Sequence, residues 1–390
     1  MDPRVAPKVF ALLSLALTCG ALQLHAEKVV NLRARDGTNL KATFFPAASS
    51  APGVLLLHQC NRQRKVWDEL GARLAESGIN VLTLDYRGFG ESGGTPWEKL
   101  PSQERMQVMI EKWPEDVDVA LEYLESQPGV KKDVIGAGGA SCGVNQSIQA
   151  ARRHPEVRSL VLLSGSTGRE GREFLRKAAK VPLFASAADD DGGAVEIMQW
   201  LYSLSQNPGS RFVHYSDGGH GVDMFAAHKE LPGLIQEWFV TTLVKTPGRA
   251  PVTAASDHKR QETNILELID QPGGVSKAAQ MLAEARKRDP KAVVFSEVLV
   301  NQIGYEHMQS GDTKGAVEIM KLNATAYPDS PNVYDSLGDA YMAEGQKELA
   351  KQNAQKALEL LASDTKDSEQ RRNMIKESAE QKVKELGTKP

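Results

Sequence analysis

The sequence predicts an α/β fold with a doubly wound, mainly parallel sheet, followed by a small all-helical region. Three observations carry this expectation. Short continuous apolar runs alternate with stretches of helical spacing between residues 28 and 244. Residues 246–259 are rich in Pro, Ala, Thr and Ser and read as a linker. Beyond it Ala, Glu, Lys and Leu dominate, with no strand candidate.

The elements follow in order. Residues 28–35 alternate like a strand, Asp36-Gly37 turns the chain, and residues 40–45 return, so a hairpin is expected. Val54-Leu55-Leu56-Leu57 and residues 79–84 are short apolar runs, as strands buried on both faces require. Helical spacing over 66–77 separates them. Pro114 opens a helix with Glu115 and Asp116 in its first turn, where acids suit the dipole. Strands are then expected at 134–137, 159–163, 181–187 and 211–215, and helices at 141–154, 169–180, 194–206 and 229–244.

In the tail, Gly304, Gly311 and Ala316 recur as Gly338, Gly345 and Ala350, about 34 positions later. That period, with Tyr334-x-x-Leu337-Gly338-x-x-Tyr341 and Pro328, resembles tetratricopeptide repeats. Small residues at these places let two helices approach closely. Helices near 276–287 and 367–386 are expected to cap the pair. The alternative is a helical hairpin without binding function.

Composition narrows the class. The chain has 390 residues, 41% hydrophobic and 25% charged, with a formal net charge of -3. This is ordinary globular composition. No Lys/Arg stripe with interleaved aromatics appears, so nucleic acid is not expected as a partner. Arg4 and Lys8 precede an apolar run over 9–24, and Leu24-His25-Ala26 ends it. This reads as a secretory signal over 1–26, with export to the periplasm or medium; the alternative is an uncleaved anchor. The run is too short for a comfortable span, and Leu17-Thr18-Cys19 is a poor lipobox. The expected divisions are therefore 1–26 leader, 27–245 sheet domain, 246–262 linker and 263–390 helical tail. Cys60 and Cys142 show no metal-ligand spacing, and no metal or organic cofactor is implied.

Chemistry concentrates in three places. Gly139-Ala140-Ser141-Cys142-Gly143 fits G-x-S-x-G and falls between an expected strand and an expected helix. Such a turn needs small residues two before and two after the nucleophile. Taking Cys142 as nucleophile would put β-branched Val144 at a flanking position, so Ser141 is preferred. Asp217-Gly218-Gly219-His220-Gly221 follows the last expected strand and supplies a base in a glycine loop. Asp189-Asp190-Asp191 follows the strand before it, giving the order Ser…Asp…His.

The chain over 28–244 resembles the dienelactone-hydrolase and esterase branch of the α/β-hydrolases. Besides these motifs, Asp85-Tyr86-Arg87-Gly88-Phe89-Gly90-Glu91-Ser92 is close to the family's D-x-R-G-x-G-x-S, and His58-Gln59-Cys60 stands where the family has HG-x. The resemblance implies acyl transfer from a small-molecule ester-like substrate, with Ser141 attacking and His220 as base. Family spacing from Pro182 points to Asp191 as the acid, with Asp190 next. The oxyanion is expected on the amides of Cys142 and either Gln59 or Cys60, since Gln59 replaces the usual glycine. Both loops should meet at that anion, so an exported chain could join Cys60 to Cys142; the sequence leaves this open.

The stretch between Leu163 and Val181 is too short for a full cap domain, so an open site is expected. Residues 93–113, with Trp97, Met106, Met109 and Trp113, are candidates for a substrate wall or for plain packing. A peptidase or amidase would use the same triad. An interaction protein, binding a partner through residues 297–363, is the reading from another class.

Overall fold

A strand buried on both faces sends alternate side chains to opposite sides, and β3 (Ala51–Leu57) does so. Leu55 and Leu57 enter one hydrophobic core, Val54 and Leu56 the other. Each fully buried leucine contributes roughly 1.5–3 kcal/mol. The computed structural model describes residues 27–247 and 261–387. The expected leader, with Cys19, and most of the expected linker lie outside the described residues.

The sheet has eight strands in the order β1-β2-β4-β3-β5-β6-β7-β8. Besides β3 these are β1 (Lys28–Arg33), β2 (Asn39–Phe45), β4 (Asn80–Asp85), β5 (Val130–Ala140), β6 (Val157–Leu163), β7 (Leu183–Ala188) and β8 (Arg211–Tyr215). The hairpin forms, with Leu32 opposite Leu40, and β2 also runs antiparallel to β4. All remaining pairings are parallel.

Helices cover both faces. In chain order they are α1 (Asp68–Glu76), α2 (Ser102–Gln107), α3 (Trp113–Ser126), α4 (Cys142–Arg153), α5 (Arg169–Lys177), α6 (Ala194–Leu204), α7 (Met224–Ala227) and α8 (Leu231–Phe239). Leu70 and Leu74 of α1 share a core with Ile235 of α8, while Leu121 of α3 and Ile148 of α4 belong to the other.

The tail contributes α9 (Gln261–Ile269), α10 (Gly274–Arg288), α11 (Glu297–Gln309), α12 (Thr313–Ala326), α13 (Pro331–Ala343), α14 (Lys347–Leu361) and α15 (Glu369–Gly387). Helix α9 begins inside the expected linker and was not anticipated. Three of its four apolar residues, Ile265, Leu266 and Ile269, are buried in the same core as Leu175 and Leu201 of the sheet domain. Of the repeated glycines Gly304 has the expected steric role, since a Cβ there would stand 2.9 Å from the Met320 side chain, whereas Gly311 and Gly345 have φ 85° and 80° with no neighbour within 4 Å and serve the turns between helices. No helix among the described residues is long and apolar enough to cross a membrane.

Candidate active site

The turn after β5 shows why its glycines are needed. Ser141 has φ 54° and ψ -119°, a conformation that costs a non-glycine residue of order 1–3 kcal/mol. A Cβ at position 139 would run into the carbonyl oxygen of Gly143, and one at 143 into that of Leu57. The Ser141 amide donates to the Leu163 carbonyl at 2.9 Å, which ties the turn to β6. Cys142 then opens α4, so its amide has no partner within its own helix, at the end where the helix dipole favours negative charge.

The three aspartates divide the work. Asp191 accepts from His220 Nδ1 at 2.9 and 2.8 Å through its two oxygens. Asp190 accepts the amides of Gly218 and Gly219 at 3.2 and 3.0 Å, so it holds the histidine loop. Asp189 pairs with His214 Nε2 at 2.8 Å. The Asp191 hydrogen bond raises the His220 pKa above its ordinary 6.5, against the opposing effect of burial. His58 behaves oppositely: burial pushes it down to about 4. It donates from Nδ1 to the Gln59 carbonyl at 2.8 Å and accepts the Tyr86 amide at 3.3 Å, so it is a neutral packing group.

Gln59 has an unexpected part. Its Oε1 accepts the Val222 amide at 2.9 Å, and its Nε2 donates to the His220 carbonyl at 3.3 Å. A side chain where the family has glycine thus ties the loop after β3 to the histidine loop. Cys60 and Cys142 are joined by a disulfide, with Cα atoms 5.9 Å apart.

Asp85-x-Arg87 and Ser92 shape the neighbouring loop. Asp85 is fully buried, accepts the Arg64 amide at 2.7 Å and pairs with the Arg64 guanidinium. Arg87 grips Asp116 at 2.7 and 2.6 Å and Asp36 at 2.6 Å. Ser92 Oγ donates to the Asp85 carbonyl at 2.7 Å.

Ser141, Cys142, Asp191 and His220 line one cavity of about 1020 Å³; Gln59 and Cys60 are not among its lining residues. Trp97 and Trp113, considered as substrate wall, are not there either. Trp113 is fully buried and stacks on Tyr86 with ring centroids 4.3 Å apart, and Trp97 lies 4.9 Å from Trp113. Large aromatic faces beside the buried Tyr86 lose more water by stacking together than by facing an open cleft. Met106 and Met109, from the same insertion, do reach the cavity, with Ile110.

The tail, which the sequence did not place at the site, also lines the cavity, through Asp270, Gln302, Glu306, His307, Gln309 and Asp312. Gln302, Glu306 and Gln309 fall at i, i+4 and i+7, one face of a helix, which is a legible signal. Nothing in the sequence aims that face at Ser141.

Strand order, parallel pairing and a strained serine between β5 and α4 agree with a family comparison: residues 49–188 match the serine aminopeptidase S33 family model. The chain has an α/β-hydrolase fold. Among curated proteins, the thiohydrolase aneE of Aspergillus aculeatus is 30% identical over 127 residues, 32% of this chain and 37% of the relative. The uncharacterised YfhR of Escherichia coli K12 is 25% identical over 222 residues, 50% of this chain and 74% of the relative. The chain spans 37% to 47% of the length of the first curated relatives it matches. Among solved structures, the Pyrococcus furiosus esterase Pf2001 is 20% identical with a TM-score of 0.46, covering 56% of this chain and 93% of that one. The 2,6-dihydroxy-pseudo-oxynicotine hydrolase is 13% identical with a TM-score of 0.47, covering 60% and 72%.

Proposed function

We propose that this hydrolase-fold chain is a serine hydrolase that cleaves ester-like acyl bonds through an acyl-enzyme. The observation that carries the reading is the Asp191–His220 pair opening onto the same cavity as Ser141, which sits in a strained turn at a helix start. Ser141 attacks the carbonyl while His220 takes its proton. Asp191 holds the imidazole and stabilises its charged form. The amide of Cys142, which lines the cavity, receives the oxyanion, such a donor lowering the barrier by roughly 3–4 kcal/mol; the Gln59–Cys60 segment, expected to supply a second donor, does not line it. His220 then protonates the leaving group, and water releases the acyl group by the reverse sequence.

Two readings of the bond compete. Esters and thioesters suit the thiohydrolase relative, whereas the S33 match favours a peptide or amide. The test is labelling of the full chain with a fluorophosphonate, mapped by mass spectrometry, beside a panel of p-nitrophenyl esters, acyl thioesters and aminoacyl anilides. Label on Ser141 with ester or thioester turnover supports the proposal. Turnover of anilides alone replaces it with the peptidase reading, and label elsewhere with no turnover removes it.

The pH dependence has a defined sign. Only neutral imidazole takes the Ser141 proton, so kcat/KM rises with pH as His220 deprotonates. Its pKa is raised by Asp191, so the half-maximal point lies above pH 6.5. In Asp191→Asn that lift is lost, the midpoint moves to lower pH and the plateau falls roughly 10⁴-fold. Identical midpoints in pH–rate profiles of both proteins would take Asp191 out of this role.

We also propose export, with the segment 1–26 as leader; the Cys60–Cys142 disulfide supports an oxidising compartment. The pairs α11–α12 and α13–α14 are read as tetratricopeptide-like repeats from the small residues that recur in them. Glu306 of α11 is bound to Arg172 of α5, so a protein partner for residues 297–363 is left with α12 to α14.

A further inference from the structure

We propose that the helical tail is the substrate-selecting wall of the cavity, and that its α11 face receives an uncharged, hydrogen-bonding arm of an amphipathic ester. The proposal deepens the serine-hydrolase reading and rests on it.

The first support is the attachment of the wall. Arg172 of α5, 1% exposed, donates to Glu306 Oε2 at 2.5 Å and to Asp270 Oδ2 at 3.1 Å. Arg176 donates to Glu267 Oε1 at 2.8 Å. Leu299, Val300 and Ile303 of α11 are buried in the same core as Met198 of α6. Charge pairing and apolar burial thus hold α9 and α11 against the hydrolase fold.

The second support is the kind of polarity that the tail supplies. The hydrolase side mixes hydrocarbon from Met106, Met109, Ile110 and Ile197 with polar groups such as Asn145, Thr167 and Arg169. The tail side is polar, yet its charges are already paired. Glu306 is held by Arg172, and His307 joins Asp270 at 3.2 Å to Asp312 at 2.8 Å. Burial raises the Glu306 pKa, with Arg172 opposing. Hydrogen-bonding capacity that is left uncommitted belongs to neutral groups. Gln302 spends one amide N–H on Glu306 Oε1 at 3.1 Å and keeps its carbonyl, and the Gln309 side chain makes no hydrogen bond among the described residues. Paired carboxylates and free amides select hydroxyl or amide groups over ions.

The third support is size. A cavity of about 1020 Å³ stands at the upper end of the roughly 300–1,000 Å³ of small-molecule sites. It has room for both arms of an ester: a hydrocarbon acyl chain on the methionine side and a polar alcohol under α11.

The test compares two esters of one acyl chain, glyceryl monooctanoate and ethyl octanoate, with the full-length protein. The wild type is expected to prefer the glyceryl ester. In Gln302→Leu/Gln309→Leu, the ratio of kcat/KM values, glyceryl over ethyl, is expected to fall roughly tenfold through KM. Met374→Gln, exposed on α15, serves as the tail control and is expected to keep the wild-type ratio. An unchanged ratio in the double variant, or an equal fall for both esters, overturns the wall's selecting role. A wild type that hydrolyses neither ester and takes no phosphonate on Ser141 instead overturns the serine-hydrolase reading, and this proposal with it.

Discussion

Replacing Ser141 with alanine is expected to lower kcat on the best ester by roughly 10⁶-fold, with little change in KM. In the proposed mechanism the hydroxyl is the group whose bond to the acyl carbon defines the intermediate, so no neighbour substitutes for it. What survives is the catalysis that oxyanion donors and binding supply alone, roughly 10³–10⁴ over water. The backbone strain stays, because alanine at φ 54° is as crowded as serine. Thermal unfolding should therefore match the wild type, which separates a lost reaction from a lost fold. Steady-state hydrolysis with a melting curve on the same sample measures both. Equal turnover in Ser141→Ala would end the nucleophile assignment.

The second large effect falls on stability. Arg172→Ala leaves Glu306 and Asp270 buried without their guanidinium and removes its contact over the Trp200 ring at 4.5 Å. Breaking a buried pair from one side costs roughly 3–5 kcal/mol. At about 2–4 °C per kcal/mol for a domain of this size, the melting temperature should fall by about 10 °C. Arg172→Lys should recover little. A single ammonium cannot span both carboxylates and the Thr167 carbonyl, which Arg172 also reaches at 3.1 Å. A variant melting within 2 °C of the wild type, a margin of about 1 kcal/mol, would show that the tail is held by its apolar contacts alone.

The difference between the two sites bears on what a sequence can reveal. The elbow was legible because it is local: five consecutive residues, two of them glycine for steric reasons, set between a strand and a helix. Strand and helix periods marked the sheet domain for the same reason. Choosing Asp191 among three adjacent aspartates needed family spacing, and side-chain direction alone separates it from Asp190, which holds loop amides instead. Gln59 was read as a disturbed oxyanion position, because its reach to Val222 crosses 163 residues of chain. Trp97 and Trp113 were ambiguous since an aromatic pair fits a pocket or a core equally well by composition. The tail wall was illegible for the strongest reason. Its residues meet Ser141 only through the docking of two separately coded bodies, and α9, which starts that docking, carries three buried apolar residues beside a linker-like stretch.

The Cys60–Cys142 bond closes a loop of 82 residues between the segment after β3 and the residue after Ser141. In the chain-entropy account such a crosslink stabilises by about 4–5 kcal/mol. Its place adds a second meaning. The covalent staple fastens the start of α4, which carries the Cys142 amide, to the segment after β3, so the redox state of two thiols decides whether those two loops are tied together.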